Sequence, residues 1–115
     1  MADVLTKIYK FDSSIPTCWI LEGLIMYLKR PDVEQLMINI SKLSPCASYL
    51  ILNFSTNMSH TASPNIDEID EMLGTSNWKK VIRLMFGEEG FHYNRYPEGK
   101  PANKILGFAM YQKEK

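Results

Sequence analysis

Apolar residues form two kinds of pattern along the chain, and the two differ in period. Thr17–Leu21 and Ser48–Phe54 are short and mostly apolar, which is typical of strands buried on both faces. Between them, apolar residues recur every three or four positions over Val33–Leu43, which predicts an amphipathic helix that starts at Pro31 and ends before Ser44. A buried strand, a helix and a second buried strand make a right-handed βαβ unit. The pattern therefore predicts an α/β fold with a mostly parallel sheet.

The pattern in the second half of the chain is less regular. Ser55–Asn65 is polar and predicts a loop at the carboxyl end of the second strand. Ile66–Leu73 predicts a short helix with a solvated acidic face, ended by Gly74. Asn77–Phe86 also fits a helix, because its Lys and Arg residues would then share the solvent side. Leu106–Gln112 predicts a final strand.

Composition and charge limit the classes of partner. The 115 residues are enough for one domain with a small core. Lys+Arg 13 balance Asp+Glu 13, so no net field draws the chain to nucleic acid or to an anionic membrane. No run approaches the roughly 18 apolar residues of a membrane span, and the N-terminus has no apolar signal region. We therefore predict a cytoplasmic protein without nucleic-acid or membrane partners, in which Cys18 and Cys46 are reduced thiols.

One carboxylate interrupts the first apolar run. Glu22 follows the predicted strand and precedes Gly23 within PTCWILEGLIMYL, which is Pro16–Leu28. Burying an ionised carboxylate without a partner costs several kcal/mol or more, so we place Glu22 past the end of the strand, facing a crevice. Ligands of open α/β sheets collect at this edge. The alternative is that Glu22 only accepts backbone N–H groups at the start of the next helix.

The run Pro16–Leu28 resembles the fourth-strand motif of the leucine carboxyl methyltransferase family. The resemblance continues through LSPCASYLILNF, so that it is strong over Phe11–Phe54 and weak beyond. The family consists of class I methyltransferases, whose sheet is doubly wound and Rossmann-like. The resemblance implies an enzyme with S-adenosylmethionine as its cofactor. It also implies methyl transfer to a carboxylate or hydroxyl oxygen, on a small molecule or on a protein C-terminal carboxylate.

The resemblance also implies roles for individual residues. Glu22 would hold the cationic end of the cofactor, and Gly23 would let the backbone approach it closely. Tyr27 matches a tyrosine near the family's substrate pocket, where its hydroxyl would bond an acceptor oxygen; the alternative is an ordinary half-buried tyrosine. No catalytic acid or base is identified. No metal site is predicted, because His60 and His92 lack a second ligand at metal spacing.

Two parts of the family's cofactor site have no counterpart in the sequence. The glycine-rich loop and the ribose-binding acid lie upstream of the matched motif in the family, and this chain has no GxG. We therefore expect residues 1–115 to form one partial domain, the C-terminal half of the sheet. Such a half leaves the edge of its first strand uncovered, so the expected partners are a missing N-terminal half or a second copy of the chain.

Three questions stay open from the sequence. The function is either catalytic or that of a non-catalytic fragment or interaction module that reuses half of the fold. The final strand is either the sixth of the fold or an antiparallel seventh that pairs with Phe91–Arg95, and the charged tail after it favours the seventh. Arg95 is either a partner for a substrate carboxylate or a solvated loop residue.

Overall fold

The elements of the chain alternate between strands and helices. The computed structural model describes residues 10–55, 63–85 and 106–115. Within them the order is β1 (Cys18–Leu21), α1 (Arg30–Lys42), β2 (Tyr49–Ser55), α2 (Ile66–Gly74), β3 (Trp78–Met85) and β4 (Leu106–Lys113). A single turn of 3-10 helix, Ile25–Tyr27, lies between β1 and α1. The predicted βαβ unit is confirmed as β1, α1 and β2.

The strands form one mixed sheet in the order β1-β2-β4-β3. β1 is parallel to β2, with Cys18 opposite Tyr49. β4 is inserted between β2 and β3 and is antiparallel to both. The α/β class is therefore confirmed, and the last strand is the antiparallel one that the sequence favoured. Its described neighbours are β2 and β3, whereas Phe91–Arg95 lies outside the described residues.

The helix predicted over Asn77–Phe86 is wrong, because most of this segment is strand β3. A β-bulge shifts the pairing with β4 between Lys80 and Ile82. Because Val81 is the extra residue of the bulge, two apolar residues, Val81 and Ile82, follow each other in the sequence. This pair breaks the alternation expected of a strand and resembles the spacing of a helix. Both residues are β-branched, and such residues fit the pleated surface of a sheet better than a helix.

The core lies between one face of the sheet and the two helices. Helix α1 buries Val33, Met37 and Ile40 on this side, and α2 buries Ile69 and Leu73. The sheet contributes every second residue of β2 and β4, namely Leu50, Leu52, Phe54, Ala109 and Tyr111. Because side chains alternate along a strand, Cys18, Ile20, Tyr49 and Ile51 belong to the opposite face.

The acidic side of α2 is only partly solvated. Asp70 accepts a hydrogen bond from the hydroxyl of Tyr111, whose residue is buried, and pairs with Lys80 at 3.2 Å. Arg83 bonds Asp67 at 3.0 Å. Burial, together with the neighbouring Asp70 carboxylate, raises the pKa of Tyr111 above its ordinary value, so the phenol stays a hydrogen-bond donor. These contacts attach α2 to β3 and β4.

Candidate functional site

The carboxyl ends of β1 and β2 meet at one edge of the sheet, because the two strands are parallel. Glu22 follows the last residue of β1 directly and is exposed. It therefore lies at the sheet edge and outside the core, where the cost of burying its charge does not arise. Its role toward a cofactor stays a prediction.

Gly23 turns the chain away from the sheet edge. Its φ is +60°, a left-handed conformation that residues with a Cβ adopt at a cost. A Cβ placed on Gly23 would meet nothing within 4 Å, so glycine is needed here for its backbone conformation and not for close packing. The space beside this turn is open.

A side chain of the neighbouring strand holds this turn. The backbone N–H of Gly23 donates a hydrogen bond to Oδ1 of Asn53 at 3.1 Å. Asn53 is half-buried in β2, one residue beyond the pairing of Leu21 with Leu52. The contact links the ends of the two parallel strands and fixes the backbone directly after Glu22.

Sequence reasoning gave Asn53 no role. The sequence nevertheless contains a signal for Asn53, which is the same as for Glu22. Each is a polar residue near the carboxyl end of an otherwise apolar strand. The sequence does not give the partner of the Asn53 amide, because that partner lies 30 residues away in the chain. Only the register between β1 and β2 brings the two groups together.

Tyr27 lies on the single-turn 3-10 helix. Ile25 of the same turn is buried in the core, whereas Tyr27 is 63% exposed, more than the half-buried tyrosine of the alternative interpretation. The Ser63 hydroxyl, just before α2, donates to the carbonyl of Leu28 at 2.5 Å. The turn that carries Tyr27 is thus anchored on one side by the core and on the other by Ser63.

The remaining candidates from the sequence lie outside the described residues, since His60, His92 and Arg95 all fall in the gaps between the described ranges. Within those ranges no group of His, Cys, Asp and Glu side chains is arranged to hold a metal ion. Neither of the two helices described has the length and apolar character of a membrane span.

The sheet with an inserted antiparallel strand is that of the methyltransferase fold. A solved structure with this fold is the N-methyltransferase NodS from Bradyrhizobium japonicum WM9, in complex with S-adenosyl-L-homocysteine. The two align with a TM-score of 0.55 over 85% of this chain and 46% of NodS, at 14% sequence identity. At this identity the similarity shows the fold alone.

Sequence comparisons identify a family and individual proteins that parts of this chain resemble. Residues 1–41 match the model of the leucine carboxyl methyltransferase family. A protein of Mycobacterium tuberculosis (strain H37Rv) is 44% identical over 46 residues, which are 40% of this chain and 15% of the relative. One of Mycobacterium marinum is 31% identical over 86 residues, or 74% of this chain and 27% of the relative. Both are named as S-adenosyl-L-methionine-dependent methyltransferases.

These matches confirm the predicted resemblance. Residues 1–41 are similar to the leucine carboxyl methyltransferase family. It spans 15 to 27% of the length of the two mycobacterial relatives.

Proposed function

We propose that this chain takes part in the transfer of a methyl group from S-adenosylmethionine to an oxygen atom, and that Glu22 and Gly23 contact the cofactor. The observation that carries the proposal is the position of Glu22, exposed at the carboxyl end of β1 and followed by the left-handed turn at Gly23. The mycobacterial relatives, named as methyltransferases dependent on this cofactor, support the choice of cofactor.

The residues at the sheet edge suit one end of the cofactor. S-adenosylmethionine has a sulfonium and an α-ammonium group, and a carboxylate such as Glu22 is a strong acceptor for the ammonium. The open space beside Gly23 lets a ligand approach the backbone. The adenosine end has no such candidates, because the sequence has no GxG loop. The fit therefore extends to the amino-acid end only.

The bound cofactor would supply an activated methyl group, and the protein's part is alignment. Holding two reactants in line is worth about 7–11 kcal/mol of the barrier. The anchored turn that carries Tyr27 would present a hydroxyl to the acceptor oxygen of the substrate. A carboxylate acceptor needs no general base at neutral pH. We therefore favour a carboxylate as the substrate, either on a small molecule or at a protein C-terminus, because these residues include no identified general base.

Titration of S-adenosylmethionine into the purified chain by calorimetry tests the proposal. Glu22→Gln removes the charge and keeps the shape. Since a hydrogen bond to a charged group contributes about 1.5–3 kcal/mol, we expect the affinity to fall by about 13- to 160-fold. Glu71→Gln is the matched control, because Glu71 is an exposed acid in the C-terminal half of α2, and this variant should bind the cofactor like the wild type.

The same titration separates the two functions that the sequence left open. A wild-type chain that binds, with an affinity that depends on Glu22, supports the methyltransferase. Absence of heat up to millimolar cofactor would exclude cofactor binding by this chain alone and favour the non-catalytic interaction module.

A further inference from the structure

The β1–α1 connection, residues 22–29, carries Glu22 at its start and Tyr27 on the 3-10 turn near its other end. Ile25, between them, is 1% exposed and attaches the middle of the connection to the core. In the proposed function Glu22 contacts the methyl donor and Tyr27 the acceptor. A misplacement of about 1 Å between reacting groups can lower a rate by about 100-fold. The relative position of the two ends therefore matters for methyl transfer.

Each end of the β1–α1 connection is held by a side chain from the next part of the chain. Oδ1 of Asn53, in β2, accepts a hydrogen bond from the N–H of Gly23 at 3.1 Å. The hydroxyl of Ser63, just before α2, donates to the carbonyl of Leu28 at 2.5 Å, and its Oγ lies 3.4 Å from the carbonyl oxygen of Met26. These two carbonyls belong to the residues on either side of the candidate tyrosine. One side chain thus holds the cofactor end and the other holds the substrate end.

Ser63 is itself attached to a well-packed element. The next residue, Pro64, is fully buried, and a residue that precedes proline is restricted to extended conformations. Asn65 then caps α2 in a capping box with Glu68. The acidic side of α2 is bound to β3 and β4 by the contacts described above. The Ser63 hydroxyl is therefore a fixed point for the turn that it contacts.

We propose that Asn53 and Ser63 are positioning residues that act separately on the two ends of the β1–α1 connection. Asn53 fixes the backbone that carries Glu22, and Ser63 fixes the turn that carries Tyr27. This inference rests on the proposed function, which assigns the donor to one end and the acceptor to the other. Because Ile25 attaches the middle of the connection to the core, we expect loosening of one end to stay at that end.

Residue-resolved amide hydrogen exchange in the full chain measures the two ends separately. The N–H of Leu28 donates to the carbonyl of Ile25 at 3.1 Å and closes the turn. Ser63→Ala removes one hydrogen bond, which corresponds to an increase of about 2- to 13-fold in the exchange rate of the Leu28 amide. The Gly23 amide should keep its wild-type rate in this variant. Asn53→Leu should give the opposite pattern.

Two further variants and one spectroscopic signal show whether Ser63 acts on the turn. Ser63→Thr keeps the hydroxyl and should restore the wild-type exchange rate at Leu28. The matched control is Ser76→Ala, the same substitution just after the other end of α2, which should leave Leu28 unchanged. The NMR order parameter of the Tyr27 ring should fall in Ser63→Ala and recover in Ser63→Thr. A role confined to α2 would instead accelerate exchange of the Ile69 amide, which bonds the Asn65 carbonyl, and leave the Tyr27 ring unchanged.

Calorimetry with S-adenosylmethionine tests the separation at the cofactor end. Ser63→Ala should keep the wild-type affinity within about two-fold, because the Gly23–Asn53 bond is intact, whereas Asn53→Leu should bind more weakly.

Three outcomes would overturn the proposal. These are a wild-type exchange rate at Leu28 in Ser63→Ala, equal acceleration of Gly23 and Leu28 in either variant, and a Tyr27 ring signal that Ser63→Thr does not restore. A wild-type chain that shows the two separate exchange patterns but does not bind S-adenosylmethionine would instead refute the proposed function and leave the two anchors established.

Discussion

The hydrogen bond between Gly23 and Asn53 is the described contact that positions the backbone next to Glu22, so its removal tests how the candidate site is built. Asn53→Leu keeps a side chain of similar size and removes the acceptor. The Gly23 N–H then loses its partner within the protein but, being exposed, can turn to water. We expect the turn to loosen while the sheet stays folded.

The size of the effect follows from the exposure of this bond. A typical intramolecular hydrogen bond contributes about 0.5–1.5 kcal/mol net, and an exposed one leaves no buried donor unsatisfied when it is lost. That range corresponds to an increase of about 2- to 13-fold in the exchange rate of the Gly23 amide. If Glu22 contacts the cofactor, the affinity for S-adenosylmethionine should fall by a similar or smaller factor, because Glu22 keeps its charge.

Residue-resolved hydrogen exchange by NMR is the appropriate assay, with the Leu52 amide in the core of β2 as the internal reference. Asn53→Asp is the matched control for the acceptor, since its carboxylate oxygen can still accept from Gly23. The reasoning is refuted if Gly23 exchanges at the wild-type rate in Asn53→Leu, or if Asn53→Asp accelerates it equally. An equal rise at Leu52 would mean that the whole sheet had been destabilised.

Two further predictions concern stability, and both are measured by urea unfolding. Gly107→Ala should lower the free energy of unfolding by about 1–3 kcal/mol, because the new Cβ would lie 2.5 Å from the Leu84 carbonyl oxygen. Gly74→Ala is the control, because a Cβ at this position meets nothing within 4 Å. It should leave the free energy of unfolding unchanged or raise it by about 0.4–1 kcal/mol. Tyr111→Phe should cost about 1.5–3 kcal/mol at neutral pH, because it removes the hydroxyl that donates a hydrogen bond to the Asp70 carboxylate. Since the pKa of Tyr111 is raised in the folded state, its contribution should persist below the unfolded pKa of about 10 and decline above it, so the wild type and Tyr111→Phe should converge in stability as pH rises.

Local patterns predicted those elements whose period is not interrupted. Val33, Met37 and Ile40 of α1 recur at helical spacing together with the C-cap residue Leu43, and all four are buried as that spacing requires. β3 could not be predicted in this way, because its alternation is broken by a bulge that exists only in the pairing with β4. A bulge is a property of two strands, and the sequence of one strand does not contain it.

The residues of the candidate site show the same difference between local sequence signals and signals that depend on strand pairing. Glu22 is conspicuous in the sequence because a charge inside an apolar run needs a physical reason, and the structure places it at the exposed sheet edge. Asn53 is not conspicuous, since an amide near the end of a strand is common and its partner is set by the register of β1 against β2. Residues that act through a neighbouring strand are therefore missed, whereas residues that break a local pattern are found.

The candidate site lies at the end of strand β1, so the stability of that short strand affects the site. β1 has only 4 residues and pairs with β2 on one side, so among the described residues the Gly23–Asn53 bond is the cross-strand contact that extends beyond its end. Short strands bonded on one side open locally at low free energy. Loss of the Gly23–Asn53 bond would increase that opening and thereby widen the range of positions available to the Glu22 side chain. The affinity of the site should therefore fall in Asn53→Leu even where Asn53 does not contact the cofactor, because more ordering entropy is then lost when the cofactor binds.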